Sequence, residues 1–433
     1  MKKFVAFCLI CVIFVLICNS STPIHVSAHS KEQIEFIYNN KIFSYQLENN
    51  IKKSTIFDAN YTLNKYNRFG STTERQHLLK YMLEIGIDKE IALEYIFPNI
   101  TKKINKIEKN IYIKPQNAKL KINTNSEKVF HISSEIVGKT VDKNKLINDL
   151  CSKFLLGKSL SINIPITILN PEITKQELQK HTYLRADFST NISNSTADRK
   201  HNIKNALQTL NKIEIAPNEV FSFNKIIGKR TKENGYREAK IIVNNEYVEG
   251  FGGGVCQVSS TLYNAALLSG LEIVEANKHS KQVSYVKYGF DAMVNFGSSD
   301  FKFRNNTSEK ITIITNYSKD DLRIRIFGQD LNNTKYKLTN EIVSTTEPEE
   351  IIEYDTNNQY QDKVVFEDES FYLKKPSRGM EVKSYRETYQ NGVLTNKQLL
   401  RYDKFKVQNA VKVFGTKKRT ENEQSGLFNP AAQ

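Results

Sequence analysis

Cysteine is scarce in this 433-residue sequence, and three of its five cysteines, Cys8, Cys11 and Cys18, fall within one opening apolar stretch. The other two, Cys151 and Cys256, form no Cys-x-x-Cys pair and no metal-ligand spacing, so neither a disulfide framework nor a metal site is indicated. Long apolar runs are lacking as well. Beyond the opening stretch no segment is long and apolar enough to cross a bilayer. Negative charge is in deficit, with 62 Lys and Arg against 47 Asp and Glu and a formal net charge of +15. The excess is spread along the chain and accompanies no zinc finger, recognition helix or aromatic RNA-binding signature, which argues against a nucleic-acid partner. Internal repeats are absent.

What is present begins with MKK and then FVAFCLICVIFVLICNS, a basic start followed by an apolar core. Val26-Ser27-Ala28 then offers a small-residue cleavage site, the pattern of a secretory leader over residues 1–28. The alternative is an uncleaved anchor that tethers the chain to a membrane through residues 4–18. Ile17 stands where a lipoprotein leader wants a small residue, which argues against lipidation at Cys18. An exported basic protein meets anionic surfaces, such as a bacterial wall and its acidic polymers. With 39% hydrophobic and 25% charged residues, the whole sequence has the composition of a soluble folded protein of two or three domains.

The pattern along the chain is α+β. EFIYNNKIFSYQL is strand-like, within a polar, Asn-rich stretch that runs to about residue 70, and TERQHLLKYMLEIGIDKEIALEYI carries helical spacing with a break at Gly86. Roughly from 85 to 180 the order is β-β-α-β, with DKNKLINDLCSKFLL a helix N-capped by Asp142. Cys151 shares that helix's inner face with Leu146, Ile147 and Leu150 and reads as a small buried apolar residue. A second module starts near Thr182, with the helix ADRKHNIKNALQTL, the strand-turn-strand IEIAPNEVFSFN, the hairpin REAKIIVNNEYVEG and a helix ending at Gly270. Short strands follow to 328. Residues 329–361 are acidic and polar, a linker or an edge strand. The stretch after Met380 alternates around Asn391-Gly392, a strong hairpin signal. From Lys417 the periodicity stops, as in a frayed tail. The expected domains are 29–181, 182–328 and 329–416, with a tail at 417–433.

Residues 250–270 read GFGGGVCQVSSTLYNAALLSG, with Cys256 at the start of a helix. A cysteine attacks as its thiolate, which unpaired N–H groups and the helix dipole favour at that position. Gly252, Gly253 and Gly254 would let a substrate backbone approach closely, and their N–H groups with that of Cys256 would hold an oxyanion. A base is then needed. Of the seven histidines only His201 and His279 lie well within this module, and His279 can return beside the helix start after one strand, oriented by Asp291 or Asp300. The bland alternative is a glycine turn followed by an inert, partly buried thiol. Ser259, Ser260 and Thr261 read first as helix polar face and second as substrate contacts. Arg230 and Arg304 are candidates to grip a carboxylate.

The second module resembles the VanW family over residues 182–320. The resemblance rests on FSTN at 188, APNEVFSFN at 216, GKRTKENGY at 228, GGGVCQVSSTLYNAALLSGLEIVE at 252, HS at 279, VSYV at 283, DAMV at 291 and DFKFRNNT at 300. The preceding module, through IVGKTVDKNKLINDL and LSINIPITILNPEITKQEL, resembles the peptidoglycan-binding domain that commonly stands before it. The C-terminal region is similar to the small β domain called G-five. The family is named from glycopeptide-resistance gene clusters, which defines no reaction, but some clostridial-type members of this architecture are understood to be peptidoglycan L,D-transpeptidases. The resemblance implies Cys256 as nucleophile, and position and chemistry add His279 as base and Asp291 as its orienting residue. Phe290 departs from the arginine that members often carry there, which leaves a carboxylate-binding role to Arg230 or Arg304. The His-Gly-Cys signature of the YkuD type of L,D-transpeptidase is absent. The implied activity is formation of third-to-third stem-peptide cross-links through a Cys256 thioester, with no metal or organic cofactor and peptidoglycan as partner. A non-catalytic wall-binding protein, and a cysteine carboxypeptidase or endopeptidase acting on stem peptides, are the competing readings.

Overall fold

The structure is a computed structural model that describes residues 33–47, 72–243 and 246–420. The expected leader, the end of the expected tail and the Asn244-Asn245 turn lie outside the described residues. The chain divides into two compact units, Met1–Lys119 with Ser133–Lys175, and Leu120–Ile132 with Gln176–Gln433. Among the described residues no helix is long and apolar enough to cross a membrane.

The first unit is built on isoleucine and phenylalanine spacing. Strands β1 (Gln33–Tyr38) and β2 (Lys41–Gln46) form a hairpin followed by helices α1 (Thr72–Glu84), α2 (Lys89–Ile96) and α3 (Ile100–Ile111). Ile100, Ile104, Ile107 and Ile111 make the buried stripe of α3 while its lysines face water. Hairpin strands β3 (Lys119–Ile122) and β4 (Phe130–Ser133) precede β5 (Gly138–Val141), α4 (Lys143–Leu155), β6 (Ser161–Asn163) and β7 (Ile166–Leu169). Asp142 caps α4 by accepting from the Lys145 amide at 3.0 Å. Cys151 is buried on that helix, and burial pushes its thiol up to about 11. Phe97 and Phe154 meet edge to face at 4.7 Å. Strand β1 pairs in parallel with β6, so the β1–β2 hairpin is part of this unit's sheet.

The second unit gathers around one helix. After α5 (Lys175–Gln179) come β8 (Tyr183–Asn191), α6 (Ala197–Leu210), β9 (Ile213–Ile215), β10 (Val220–Ser222), α7 (Phe223–Ile227), β11 (Glu238–Val243), β12 (Glu246–Phe251) and α8 (Val255–Leu268). Strands β13 (Glu272–Glu275), β14 (Lys302–Arg304), β15 (Ile311–Tyr317) and β16 (Asp321–Gly328) complete this part. The antiparallel sheet runs β8-β16-β15-β9, and a second sheet runs β10-β14-β13. Side chains alternate across the first sheet. Ile313, Ile324 and Leu322 enter the core beneath α6 and α8, while Ile314 and Phe327 on the reverse face meet Val129 and Phe130 from the tip of the β3–β4 hairpin. That hairpin tip, expected within the first domain, therefore belongs to the second unit. All but two residues of α8 are buried.

The polar stretch after 329 is a strand rather than a linker, because it pairs along its length. β17 (Thr334–Thr346), β20 (Gly379–Gln390) and β21 (Val393–Phe405) make an antiparallel sheet in that spatial order, and β18 (Glu350–Tyr354), β22 (Ala410–Phe414) and β19 (Ser370–Lys374) make another. Asn391 and Gly392 join β20 to β21 with φ of 51° and 84°, the left-handed pair that a two-residue hairpin requires. Lys417 and Arg419 are also tied down, the former to Val365 O at 3.0 Å and the latter to Asp368 and Glu369. Leu262, on α8, is fully buried. Leu262→Ala leaves a cavity there and lowers unfolding free energy by about 2–5 kcal/mol in a urea titration, and a loss under about 1 kcal/mol contradicts the central place given to α8.

Candidate active site

Helix α8 begins at Val255 with Gly254 as its N-cap, at φ 106°. Cys256 therefore sits in the first turn, where backbone N–H groups lack intrahelical partners. The preceding glycines, however, are not open to a substrate. A methyl group on Gly253 would stand 2.7 Å from Ala239 O, and one on Gly254 2.9 Å from the Ile203 side chain. The Gly252 amide is already given to Arg237 O at 3.2 Å. Their missing side chains let the chain pack against itself and aim the helix, which corrects the expectation of a bare loop for close substrate approach.

The polar face of α8 organises the segment that follows. Asn264 donates to Phe290 O at 2.8 Å, Ser260 Oγ accepts from the Ala292 amide at 2.9 Å, and Ser259 Oγ donates to Ala292 O at 2.6 Å. Cys256 Sγ continues this line to Val294 O at 3.4 Å. Four polar side chains along one buried stripe thus hold residues 290–294 in register with the helix. Ser260 and Thr261 are fully buried, and Thr261 is spent on Gln257 O and Thr190. This corrects their placement as substrate contacts, because neither hydroxyl has solvent access.

The docked segment brings Asp291 to His279. Asp291 Oδ2 accepts from His279 Nδ1 and from the His279 amide, each at 2.6 Å, with both side chains 5% exposed. A carboxylate on Nδ1 fixes the proton there and leaves Nε2 for the partner on the ring's other side. That partner is Cys256, to which His279 is hydrogen-bonded. Asp300, the other acid considered for this place, is occupied by Ser222 Oγ at 2.6 Å and the Asn224 amide at 2.8 Å. His201 faces Gly235 O instead.

The electrostatics follow from this geometry. Burial opposes ionisation of Cys256, but its hydrogen bond to His279, the imidazolium charge and the nearby Arg230 outweigh it and pull the thiol below its ordinary value. Burial likewise opposes protonation of His279, yet Asp291 and the sulfur push it up to about 9. Asp291 is held below the usual carboxylate range, burial being overcome by His279 and by Arg401. Both shifts favour the thiolate–imidazolium pair over the neutral pair, and Cys256 keeps partial solvent exposure.

Two further groups surround the sulfur. Arg230 donates from Nη2 to Asn224 Oδ1 at 2.6 Å, while its Nη1 is buried without a hydrogen-bond partner. Arg304 is engaged elsewhere, with Glu272 at 3.2 Å and Asn218 O at 3.2 Å. Tyr285, quoted in the VSYV motif but given no role from sequence, packs edge-on to His279 at 6.5 Å and hydrogen-bonds Ser260. Burial and the thiolate charge push its hydroxyl well up, so it stays a neutral donor.

Alkylation by iodoacetamide, read by peptide mass across pH, is expected to label Cys256 with a midpoint below that of an ordinary thiol. His279→Gln is expected to move the midpoint up. Cys151, with its thiol at about 11, serves as the slow internal control. Equal rates at the two cysteines would contradict the thiolate assignment.

Comparison with known proteins places this geometry. Residues 198–327 match the family model described as VanW like protein, and residues 55–162 match that of a peptidoglycan binding domain. The uncharacterized protein YoaR of Bacillus subtilis (strain 168) is 37% identical over 178 residues, 41% of this chain and 58% of that protein. The vancomycin B-type resistance protein VanW of Enterococcus faecalis (strain ATCC 700802 / V583) is 29% identical over 145 residues, 32% of this chain and 52% of that protein. The chain thus spans somewhat more than half the length of these curated relatives. Among solved structures, an IgA1 protease G5 domain aligns with 20% of this chain and 98% of its own, at 15% identity and a TM-score of 0.14. The HP0197-G5 structure aligns with 19% of this chain and 95% of its own, at 23% identity and a TM-score of 0.12. The site described above lies within the matched 198–327 segment except for its contact from Arg401. The chain carries a VanW-like domain over residues 198–327, with a peptidoglycan-binding-type domain ahead of it over residues 55–162.

Proposed function

We propose that the protein is a cysteine-dependent peptidoglycan L,D-transpeptidase exported to the cell wall. The observation that carries this reading is the series Cys256, His279, Asp291, in which the thiol is depressed and the imidazole raised by direct hydrogen bonds. The donor is a stem peptide with a terminal D-alanine after its third residue. The Cys256 thiolate attacks the carbonyl carbon of the amide between them, forming a C–S bond and a tetrahedral oxyanion. The Cys256 amide in the first turn of α8 is the oxyanion donor, its neighbours Val255 and Gln257 being given to Gly252 O and Gly254 O, each at 3.0 Å. Collapse breaks the C–N bond, and His279 gives its proton to the departing D-alanine amine. A side-chain amine of a second stem, relieved of a proton by neutral His279, then attacks the thioester. The C–S bond breaks, the thiolate returns and His279 is again protonated. The product is a third-to-third cross-link.

The unpartnered Nη1 of Arg230 gives this chemistry an anchor. That atom is buried in the free protein, so the D-alanine carboxylate, one residue from the attacked carbonyl, meets it only when the side chain turns toward the Cys256 sulfur, whose thiol its charge already lowers. Arg230 and not Arg304 is therefore the carboxylate-binding residue in this reading. The N-terminal domain holds glycan and raises the effective concentration of stems, and the chain's positive charge suits a wall rich in acidic polymers.

Purified protein incubated with a tetrapeptide muropeptide is expected to yield cross-linked dimer and free D-alanine by mass spectrometry, and Cys256→Ala is expected to yield neither while keeping its circular dichroism. Tripeptide without dimer identifies a hydrolase. Unchanged substrate with well-folded wild type leaves a wall-binding protein. A second expectation concerns pH. Because His279 must be protonated as general acid, kcat/KM falls on the alkaline side near pH 9. Asp291→Asn, which removes the charge that raises the imidazole, moves that limb to lower pH. A limb that stays in place removes Asp291 from the mechanism.

A further inference from the structure

The C-terminal β sheet reaches the candidate active site, and nothing in the sequence pattern or in the matched family segment accounts for this. Arg401 and Asp403 lie two residues apart on β21 and so face the same side of the sheet. Arg401 Nη2 donates to Asp291 Oδ1 at 2.6 Å, and its Nη1 donates to Asp291 O at 2.9 Å. Its Nε donates to Asp403 Oδ2 at 2.7 Å. The Arg401 side chain is 15% exposed, and Asp291 and Asp403 are 5% and 2% exposed. Asp291 therefore has its two oxygens divided, Oδ2 to His279 and Oδ1 to Arg401. A carboxylate held from both sides has no freedom to rotate away from the imidazole.

The surroundings make this more than a stray ion pair. The sheet is fastened to the same region at other points, through Asn340 to Tyr288 O at 3.1 Å and Arg386 to Leu271 O at 2.8 Å. The charged and titratable groups around Asp291 are His279, Cys256, Tyr285 and Tyr263 from its own domain, and Arg401 and Asp403 from β21, with Lys278 and Arg386 behind them. When the thiolate–imidazolium pair is formed, Cys256, Asp291 and Asp403 carry negative charge and His279, Arg230 and Arg401 carry positive charge. Buried charges are tolerated when they are paired and hydrogen-bonded, and without Arg401 this set has one uncompensated carboxylate.

We propose that Arg401 is a positioning residue for the Cys256–His279–Asp291 series, so that the C-terminal sheet is a working part of the active site and not an appended module. The inference rests on the reading of Cys256 as a nucleophile activated by His279. Two opposing effects decide the outcome of removing Arg401. Loss of a positive charge by itself leaves Asp291 the stronger anion and strengthens the imidazolium that supports the thiolate. Loss of the clamp frees Asp291 Oδ1, weakens the support of the imidazolium and raises the thiol midpoint. Positioning predicts that the second effect wins.

The test is iodoacetamide labelling of Cys256 across pH in the full chain, for wild type, Arg401→Met, Arg401→Lys, His279→Gln, Asp291→Asn and the Arg401→Met/Asp291→Asn double variant. Arg401→Met is expected to raise the midpoint by about one pH unit, roughly a tenfold slowing at a fixed pH on the acid limb. Arg401→Lys is expected to recover part of that shift, and Arg401→Met is expected to add nothing once Asp291 is Asn. If His279→Gln raises the midpoint while Arg401→Met leaves it in place or lowers it, Arg401 is no positioning residue and the Cys256–His279 reading stands. If His279→Gln leaves it in place, that reading fails and this inference fails with it. An equal shift from Arg401→Met with and without Asp291 places its effect in the fold and overturns the proposal. Should Arg401→Met not fold by circular dichroism, Arg401→Lys decides, since a midpoint identical to wild type excludes a role for the forked geometry.

Discussion

Everything at the candidate site depends on one polar stripe along a buried helix. Cys256, Ser259, Ser260 and Asn264 face the backbone of residues 290–294 and bond to it from Val294 back to Phe290. A helix so deeply buried would ordinarily be apolar all round. Here the polar side chains are satisfied by a neighbouring segment that has no ladder partner of its own along its full length, so each group removes the other's desolvation cost. The same bonds fix where Asp291 sits, and Asp291 in turn fixes His279 by its amide and its ring. The thiol and its base are thus placed by one element, although they are separated in sequence by the rest of the helix and a strand.

That arrangement explains why the glycine run precedes the cysteine. Gly252, Gly253 and Gly254 lie against Arg230, Ala239 and Ile203 at distances that admit no side chain. They set the height and direction at which α8 enters the core, with Cys256 on the rim of the buried stripe and still partly exposed. Positive φ at Gly252 and Gly254, 82° and 106°, adds a backbone reason for the same residue type. Packing and backbone geometry together account for the glycine run without any contact to a substrate.

Much of this was legible in the sequence. The cysteine at a helix start and the histidine in the following connection are readable from residue type and spacing, which leave Asp291 and Asp300 open as the orienting acid until the family motifs are considered. The hairpin at Asn391-Gly392 and the cap at Asp142 were readable because each is a local rule about backbone conformation or a first-turn amide. The missed features are non-local. The parallel pairing of β1 with β6 joins segments that no short-range pattern connects. Ser260 and Thr261 carry the chemistry of surface contacts, and only the three-dimensional structure shows their hydroxyls turned inward. Arg401 lies in a strand whose pattern announces a sheet and nothing more, and its one clue is an arginine and an aspartate sharing a face two residues apart.

In the proposed reaction Cys256 forms a thioester with a stem peptide. Intact-protein mass spectrometry after rapid acid quench with a tetrapeptide muropeptide tests it most directly. The predicted result is a covalent tripeptide adduct that maps to Cys256, is cleaved by hydroxylamine and does not form in Cys256→Ala. Turnover of the muropeptide with no adduct at Cys256, or with the adduct on another residue, would contradict it.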